Sequence, residues 1–155
     1  LKKIGEAANE VVIGSTIMGY HSFAINSEDG SFNQFEIKGS GICISTDLGS
    51  TGYNFNLGGS ILPLGSDLWS VLGIVCNRYL EDILNVNRIE ISCHSNNPAS
   101  SIFLDGIENE HTLKNGDKII IEKGNYVKLV FLDKRKFFKK RIDISSRFRK
   151  DHARS

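Results

Sequence analysis

Three dipeptides constrain this chain more than any other feature: Asp29-Gly30, Asp105-Gly106 and Asn115-Gly116. Asp-Gly and Asn-Gly tolerate the positive φ angles of the tight turns that join neighbouring antiparallel strands. The stretches around them read as strands: Asn9 to Gly14, Met18 to Asn26, Phe32 to Lys38, Ile42 to Thr46 and Trp69 to Cys76 upstream. Arg88 to His94, Ser101 to Leu104, Glu108 to Leu113, Asp117 to Lys123 and Tyr126 to Leu132 follow. Many short strands with turn signals between them predict a mainly β chain, an antiparallel β-sandwich with all three dipeptides at hairpins. Glu81 to Asn85 reads as a helical turn. Pro63 excludes a long helix between Leu57 and Leu68. Arg135 to Arg149 reads as a short amphipathic helix whose apolar residues are Phe137, Phe138, Ile142 and Phe148.

A length of 155 residues, 40% apolar and 24% charged, suits one domain with an ordinary core. No stretch reaches the length of a membrane-spanning helix and no signal-peptide pattern opens the chain. The first residue is Leu rather than Met, so the chain is expected to be a piece of a longer protein. Cys43, Cys76 and Cys93 are odd in number, lack CxxC spacing and lie in apolar runs, which suits buried free thiols in a reducing cytoplasm. His21, His94, His111 and His152 are scattered without metal-ligand spacing. Charge is uneven: Lys134 to Ser155 holds ten Lys/Arg against two Asp, whereas the rest holds nine basic and sixteen acidic residues. A basic tail of this kind serves nucleic acid or membrane binding in some proteins. In others it is a solvated helix, or docks on an acidic surface of the same protein; that second reading is preferred, with neither nucleic acid nor membrane as partner.

The stretch from Gly39 to Gly59, GSGICISTDLGSTGYNFNLGG, carries six glycines and five Ser/Thr residues, more than a turn needs. It runs from a buried strand through a Gly/Ser/Thr turn into a helix start. Gly permits close backbone approach, hydroxyls cap helices or bond ligands, and Tyr53 offers a flat apolar face with a polar tip. Such a place suits a nucleotide, although many Gly-rich turns are only turns. The GxxxxGK pattern of a P-loop and the GxGxxG of a Rossmann fold are both absent.

This stretch resembles the signature of the C-terminal domain of NAD kinases, roughly GDGxxxSTPTGSTAYxxSxGG, in register from Gly39 to Gly59. Ala8-Asn9-Glu10-Val11-Val12 is similar to the family's LNEVV, and Leu104-Asp105-Gly106 to its DGQ element. The resemblance extends from about Ala8 to the tail. It implies a β-sandwich domain over 1–133 and a basic tail, 134–155, that packs on an N-terminal α/β domain lying outside this sequence. It further implies phosphorylation of the adenosine-ribose 2′-hydroxyl of NAD to give NADP, with ATP or polyphosphate as donor and Mg2+ or another divalent cation beside ATP. Members are homodimers or homotetramers whose sites borrow residues from neighbours.

Carried over residue by residue, the NAD-binding set is Asn9, Glu10, Lys38, Ser40, Thr51, Gly52, Tyr53, Asn56 and Val75. Asn can bond an adenine edge in both directions, and an ionised Glu accepts from ribose hydroxyls. Thr51-Gly52-Tyr53 stands where the family's Thr-Ala-Tyr lies along the adenosine, and Lys38 matches a basic residue common there. Val75 falls near the nicotinamide end and otherwise reads as ordinary core. Several positions depart from the pattern: Ser40 replaces an Asp and makes only a neutral hydrogen bond, Asn56 replaces a Ser, and Ile107 replaces the Gln of DGQ. The family's GGDG motif, whose Asp acts on the 2′-hydroxyl, is absent; the only GG is Gly58-Gly59. The chain is therefore expected to hold no catalytic residue and to be inactive alone. The alternative is a free-standing, non-catalytic dinucleotide-binding module, a sponge or regulator.

Overall fold

The computed structural model describes residues 2–15, 19–27, 30–76, 81–94 and 100–152, with side chains at 145 and 147–152 left out. The chain divides into two compact units, Leu1–Gly124 and Asn125–Ser155. The first is an antiparallel β-sandwich, as the sequence predicts. Its strands are β1 (Glu10–Gly14), β2 (His21–Asn26), β3 (Phe35–Gly39), β4 (Gly41–Thr46), β5 (Trp69–Ile74), β6 (Glu81–Leu84), β7 (Arg88–His94), β8 (Ser100–Leu104), β9 (Ile107–Leu113) and β10 (Lys118–Glu122). Six form one sheet in the order β6-β5-β4-β1-β8-β9, and four form the other in the order β10-β7-β2-β3.

Alternation sets the core. Along β7, Ile89, Ile91 and Cys93 point inward, while Glu90 on the outer face accepts from Lys118 of β10 at 2.8 Å. Phe23 and Ile25 of β2, Ile37 of β3, Ile13 of β1, Ile42 and Ile44 of β4 and Val71 of β5 join them from both sheets. Each such side chain, wholly removed from water, contributes roughly 1.5–3 kcal/mol. Cys43 and its partner Leu72 are buried as well, so β4 is covered on both faces; this is why its sequence is continuously apolar rather than alternating.

The chain passes from one sheet to the other at Ser40, between β3 and β4. Ser40 donates its N–H to the Ile74 carbonyl at 2.9 Å and accepts from Ser15 N at 3.0 Å. A Cβ at Gly39 would lie 2.6 Å from the Ile74 oxygen, and one at Gly41 2.6 Å from the Ile13 oxygen. Backbones cross too closely here for side chains, so Gly39 and Gly41 serve the corner.

Asp105 (φ 51) and Gly106 (φ 80) form the two-residue hairpin between β8 and β9, as predicted. Asn115-Gly116 is a turn, with Gly116 at φ 84, but it carries the chain from β9 to β10 in the other sheet and is not a hairpin. Asp29 lies outside the described residues, so the expected Asp29-Gly30 hairpin does too. Met18, the expected start of the second strand, also lies outside them. Glu81 to Leu84 is a strand rather than a helical turn: pairing with β5 (Trp69↔Leu84, Leu72↔Glu81) overrides its local preference.

The second unit opens with 125–132, which has no strand, contrary to expectation. Two of its apolar residues are largely exposed, Tyr126 at 87% and Val130 at 85%. Helix α2 then spans Lys134–His152, longer than the sequence suggests. Asp133 is its cap, its carboxylate accepting the Lys136 N–H at 2.9 Å. Phe131, Phe137 and Phe138 form an aromatic cluster with ring centroids 4.9–6.1 Å apart. No helix among the described residues is long and apolar enough to cross a membrane.

Candidate functional site

Strand β4 lies between β1 and β5 and ends at Thr46, where the chain turns into the Gly/Ser/Thr loop. The loop holds a 3-10 turn, Gly49–Thr51, and then one helical turn, α1 (Tyr53–Asn56). Antiparallel pairing brings the start of β1 to the same end of the sheet (Glu10↔Ser45), together with the end of β8 (Val11↔Leu104). Residues near positions 9, 50 and 105 thus meet through strand register alone.

The meeting is tight. The Asn9 carbonyl accepts from Thr46 N at 2.8 Å and from the Thr46 hydroxyl at 3.1 Å, and that hydroxyl also reaches the Ala8 carbonyl at 2.8 Å. The hydroxyl in turn accepts the Gly49 N–H at 3.2 Å. A Cβ at Gly49 would stand 2.2 Å from the Asn9 oxygen, which only glycine permits. From the other side, the Asp105 carboxylate accepts the N–H groups of Ala8 (2.8 Å), Asn9 (2.7 Å) and Glu10 (3.0 Å).

Electrostatics follow from this arrangement. Burial alone would raise the Asp105 pKa, but the three backbone donors outweigh it and hold the carboxyl below its ordinary value. Glu10 shifts the other way, raised by its own burial and then by the Asp105 charge. Its Oε2 lies 4.0 Å from where a Cβ at Gly52 would stand, so Glu10 faces the loop.

A second network fixes the far side of the loop. Asn54, fully buried, donates to the Ser60 carbonyl at 3.0 Å and accepts from the Ser70 hydroxyl at 2.9 Å. Glu81 accepts from Ser60 N (2.6 Å), Ser60 Oγ (2.7 Å) and Ser70 Oγ (2.8 Å). Asp47 accepts from Ser66 N at 3.0 Å. With its backbone so anchored, the loop leaves Tyr53 42% exposed and Asn56 exposed at the surface, with Thr51 half-buried beside them.

Of the sequence-predicted residues, Asn9, Glu10, Thr51, Gly52, Tyr53 and Asn56 therefore share one end of the six-stranded sheet. Lys38, Ser40 and Val75 do not join them. They sit around the Gly41 end of β4, five residues and about 17 Å of strand away. There Lys38 pairs with Glu36 at 3.0 Å on the surface. Val75 is not core: it is 80% exposed and holds φ 47, a conformation rare for a β-branched residue. Strand β5 ends at Ile74, so Val75 turns out of the sheet rather than into it. Sequence reading missed Asp105, Asn54 and Glu81 as parts of the site. Asp105 was legible as a turn residue and as part of the DGQ-like element, without a role of its own, and nothing local marked the other two. Among the described residues no group of three or more His, Cys, Asp or Glu side chains comes together to hold a metal ion.

No family model matches the chain. Among curated proteins, the NAD kinase of Borreliella burgdorferi is 37% identical over 109 residues, 65% of this chain and 38% of that protein. The NAD kinase of Aquifex aeolicus is 30% identical over 146 residues, 89% of this chain and 51% of that protein. The chain thus spans about half, or less, of the length of these relatives. The crystal structure of yeast NADH kinase complexed with NADH shares the fold with a TM-score of 0.65, over 78% of this chain and 36% of that one, at 23% identity. The architecture is therefore the β-sandwich of the NAD and NADH kinases. Sequence and fold together support an NAD kinase-type C-terminal domain.

Proposed function

We propose that this chain is the NAD-binding domain of an NAD kinase, which phosphorylates the 2′-hydroxyl of the adenosine ribose of NAD to give NADP with ATP or polyphosphate as donor. The observation that carries the reading is the junction of Asn9-Glu10 with Gly49 to Tyr53, distant in sequence and locked together at one sheet end. Exposed Tyr53 supplies a stacking face for adenine, Asn9 and Thr51 supply polar edges, and Glu10 accepts from ribose hydroxyls. Lys38, Ser40 and Val75, at the far end of β4, serve the site of a second copy, in a homodimer or homotetramer. Their separation from Tyr53 supports that division.

Phosphoryl transfer depends on positioning and charge neutralisation. The catalytic Asp, with its glycine loop and Mg2+, belongs to a GGDG-bearing α/β domain outside this sequence, and the chain alone is inactive. The tail 134–155 packs on that domain, which covers Phe138 and Ile142, now 37% and 69% exposed. The buried thiols of Cys43 and Cys93 fit a reducing cytoplasm. The test is NADP formation from NAD, ATP and Mg2+ by the full-length protein and by the 155-residue chain. Turnover by the first and none by the second supports the reading. NAD binding without turnover in the full-length protein identifies a non-catalytic module instead, and absence of both overturns the assignment.

A further inference from the structure

We infer that Asp105 is a positioning residue: its carboxylate clamps the backbone of Ala8, Asn9 and Glu10 so that the Asn9 and Glu10 side chains are presented to the nucleotide. The inference rests on the NAD-binding reading above and assigns Asp105 a task beyond its turn.

A turn alone does not need this side chain. The hairpin needs positive φ at positions 105 and 106, which Asn-Gly or Gly-Gly also provide. The Asp105 carboxylate instead reaches the strand alongside, Oδ2 taking Ala8 N and Oδ1 taking both Asn9 N and Glu10 N. Three successive amides converging on one anion define the local backbone path, as a nest does. The Asp105 N–H closes the ring by donating to the Glu10 carbonyl at 3.1 Å. Across the pair, Thr46 engages the Ala8 and Asn9 carbonyls. Every backbone polar group of Asn9 and Glu10 is thereby used, and the side chains are what remains for a ligand. Ala8 and Asn9 precede β1, so their N–H groups have no place in its ladder, and the carboxylate takes the place of a strand partner.

Two variants of the full-length protein test this. Asp105→Gly keeps the positive φ and removes the clamp. Asp105→Asn, with its oxygen at the Oδ1 position, retains the bonds to Asn9 and Glu10 and loses the one to Ala8. The first readout is amide hydrogen exchange without nucleotide. In Asp105→Gly, exchange at Ala8, Asn9 and Glu10 should accelerate while Val12 and Ile13, paired within the sheet, keep their protection. Unchanged exchange at 8–10 overturns the clamp, whatever the ligand. The second readout is kinetic. Asp105→Gly should raise KM for NAD on the order of ten- to a hundredfold, leave KM for ATP unchanged, and be largely rescued in Asp105→Asn. Loss of global stability with an unchanged KM for NAD in the folded protein would leave Asp105 a turn residue and overturn the positioning role. If wild type binds no NAD, the nucleotide reading fails and the presenting role with it, while the exchange data still judge the clamp.

Discussion

Replacing Gly49 with Ala should damage the fold and the site together. The new Cβ would lie 2.2 Å from the Asn9 carbonyl oxygen, 2.5 Å from its carbon and 2.7 Å from its Cα. All three are backbone atoms, already fixed by Thr46 and Asp105, so no side chain can swing aside. Relief needs a separation of about 1 Å, and overpacking of this kind costs about 1–3 kcal/mol. Ala offsets about 0.4–1 kcal/mol of that by restricting the unfolded chain. The net loss is about 1–2 kcal/mol, or about 2–8 °C in Tm for a chain of this length. Gly52→Ala is the control. There the nearest atoms are the Gly49 oxygen at 3.2 Å and Glu10 Oε2 at 4.0 Å, and the change should stay within about 1 kcal/mol. Urea unfolding with an unchanged m-value reads both. A Gly49→Ala protein as stable as wild type would refute the contact between the loop and Asn9.

Two further expectations follow from buried groups. His21 is buried with Nδ1 3.2 Å from Ser100 Oγ, and burial lowers its pKa below the ordinary 6.5. A lowered histidine is protonated first in the unfolded chain, so its contribution is fully present above pH 6.5 and lost as pH falls below it. His21→Gln should flatten the stability–pH curve below that point, and an identical slope in both proteins would contradict it. Burial, aided by the Glu10 charge, pushes the Cys43 thiol up to about 12. A thiol reagent should therefore modify half-buried Cys76 in the native protein and reach Cys43 and Cys93 only on unfolding; fast native modification of Cys43, followed by mass spectrometry, would sink that burial.

Strand-level features were legible because they are local. Asp105-Gly106 marks its hairpin, and the alternation of Ile89 and Ile91 with Arg88 and Glu90 marks β7. Features decided by distant partners were not. Glu81 to Leu84 becomes a strand because β5 offers an edge, whereas the run 126–132, though apolar, forms no strand. Val75 looks apolar and therefore interior, yet lies one residue beyond the end of β5 and turns outward. The site divides in the same way. Motif resemblance singles out Asn9 and Tyr53 because the proposed role of each lies in its side-chain identity. It marked Asp105 only as part of the Asp-Gly element and gave it no task, because its backbone bonds reach a strand 95 and more residues away. Sequence order also hid the distance of Lys38 and Ser40 from Tyr53, since β4 runs straight between them.

The central claim is that Tyr53 and Asn9 form one NAD site, and calorimetric titration of NAD into the full-length protein tests it most directly. Wild type should bind. Tyr53→Ala should weaken binding by about 1–3 kcal/mol, the scale of a lost base–aromatic contact, with little change in stability because the ring is 42% exposed. Asn9→Ala should weaken it independently. Affinity for NAD unchanged in both variants would contradict the account.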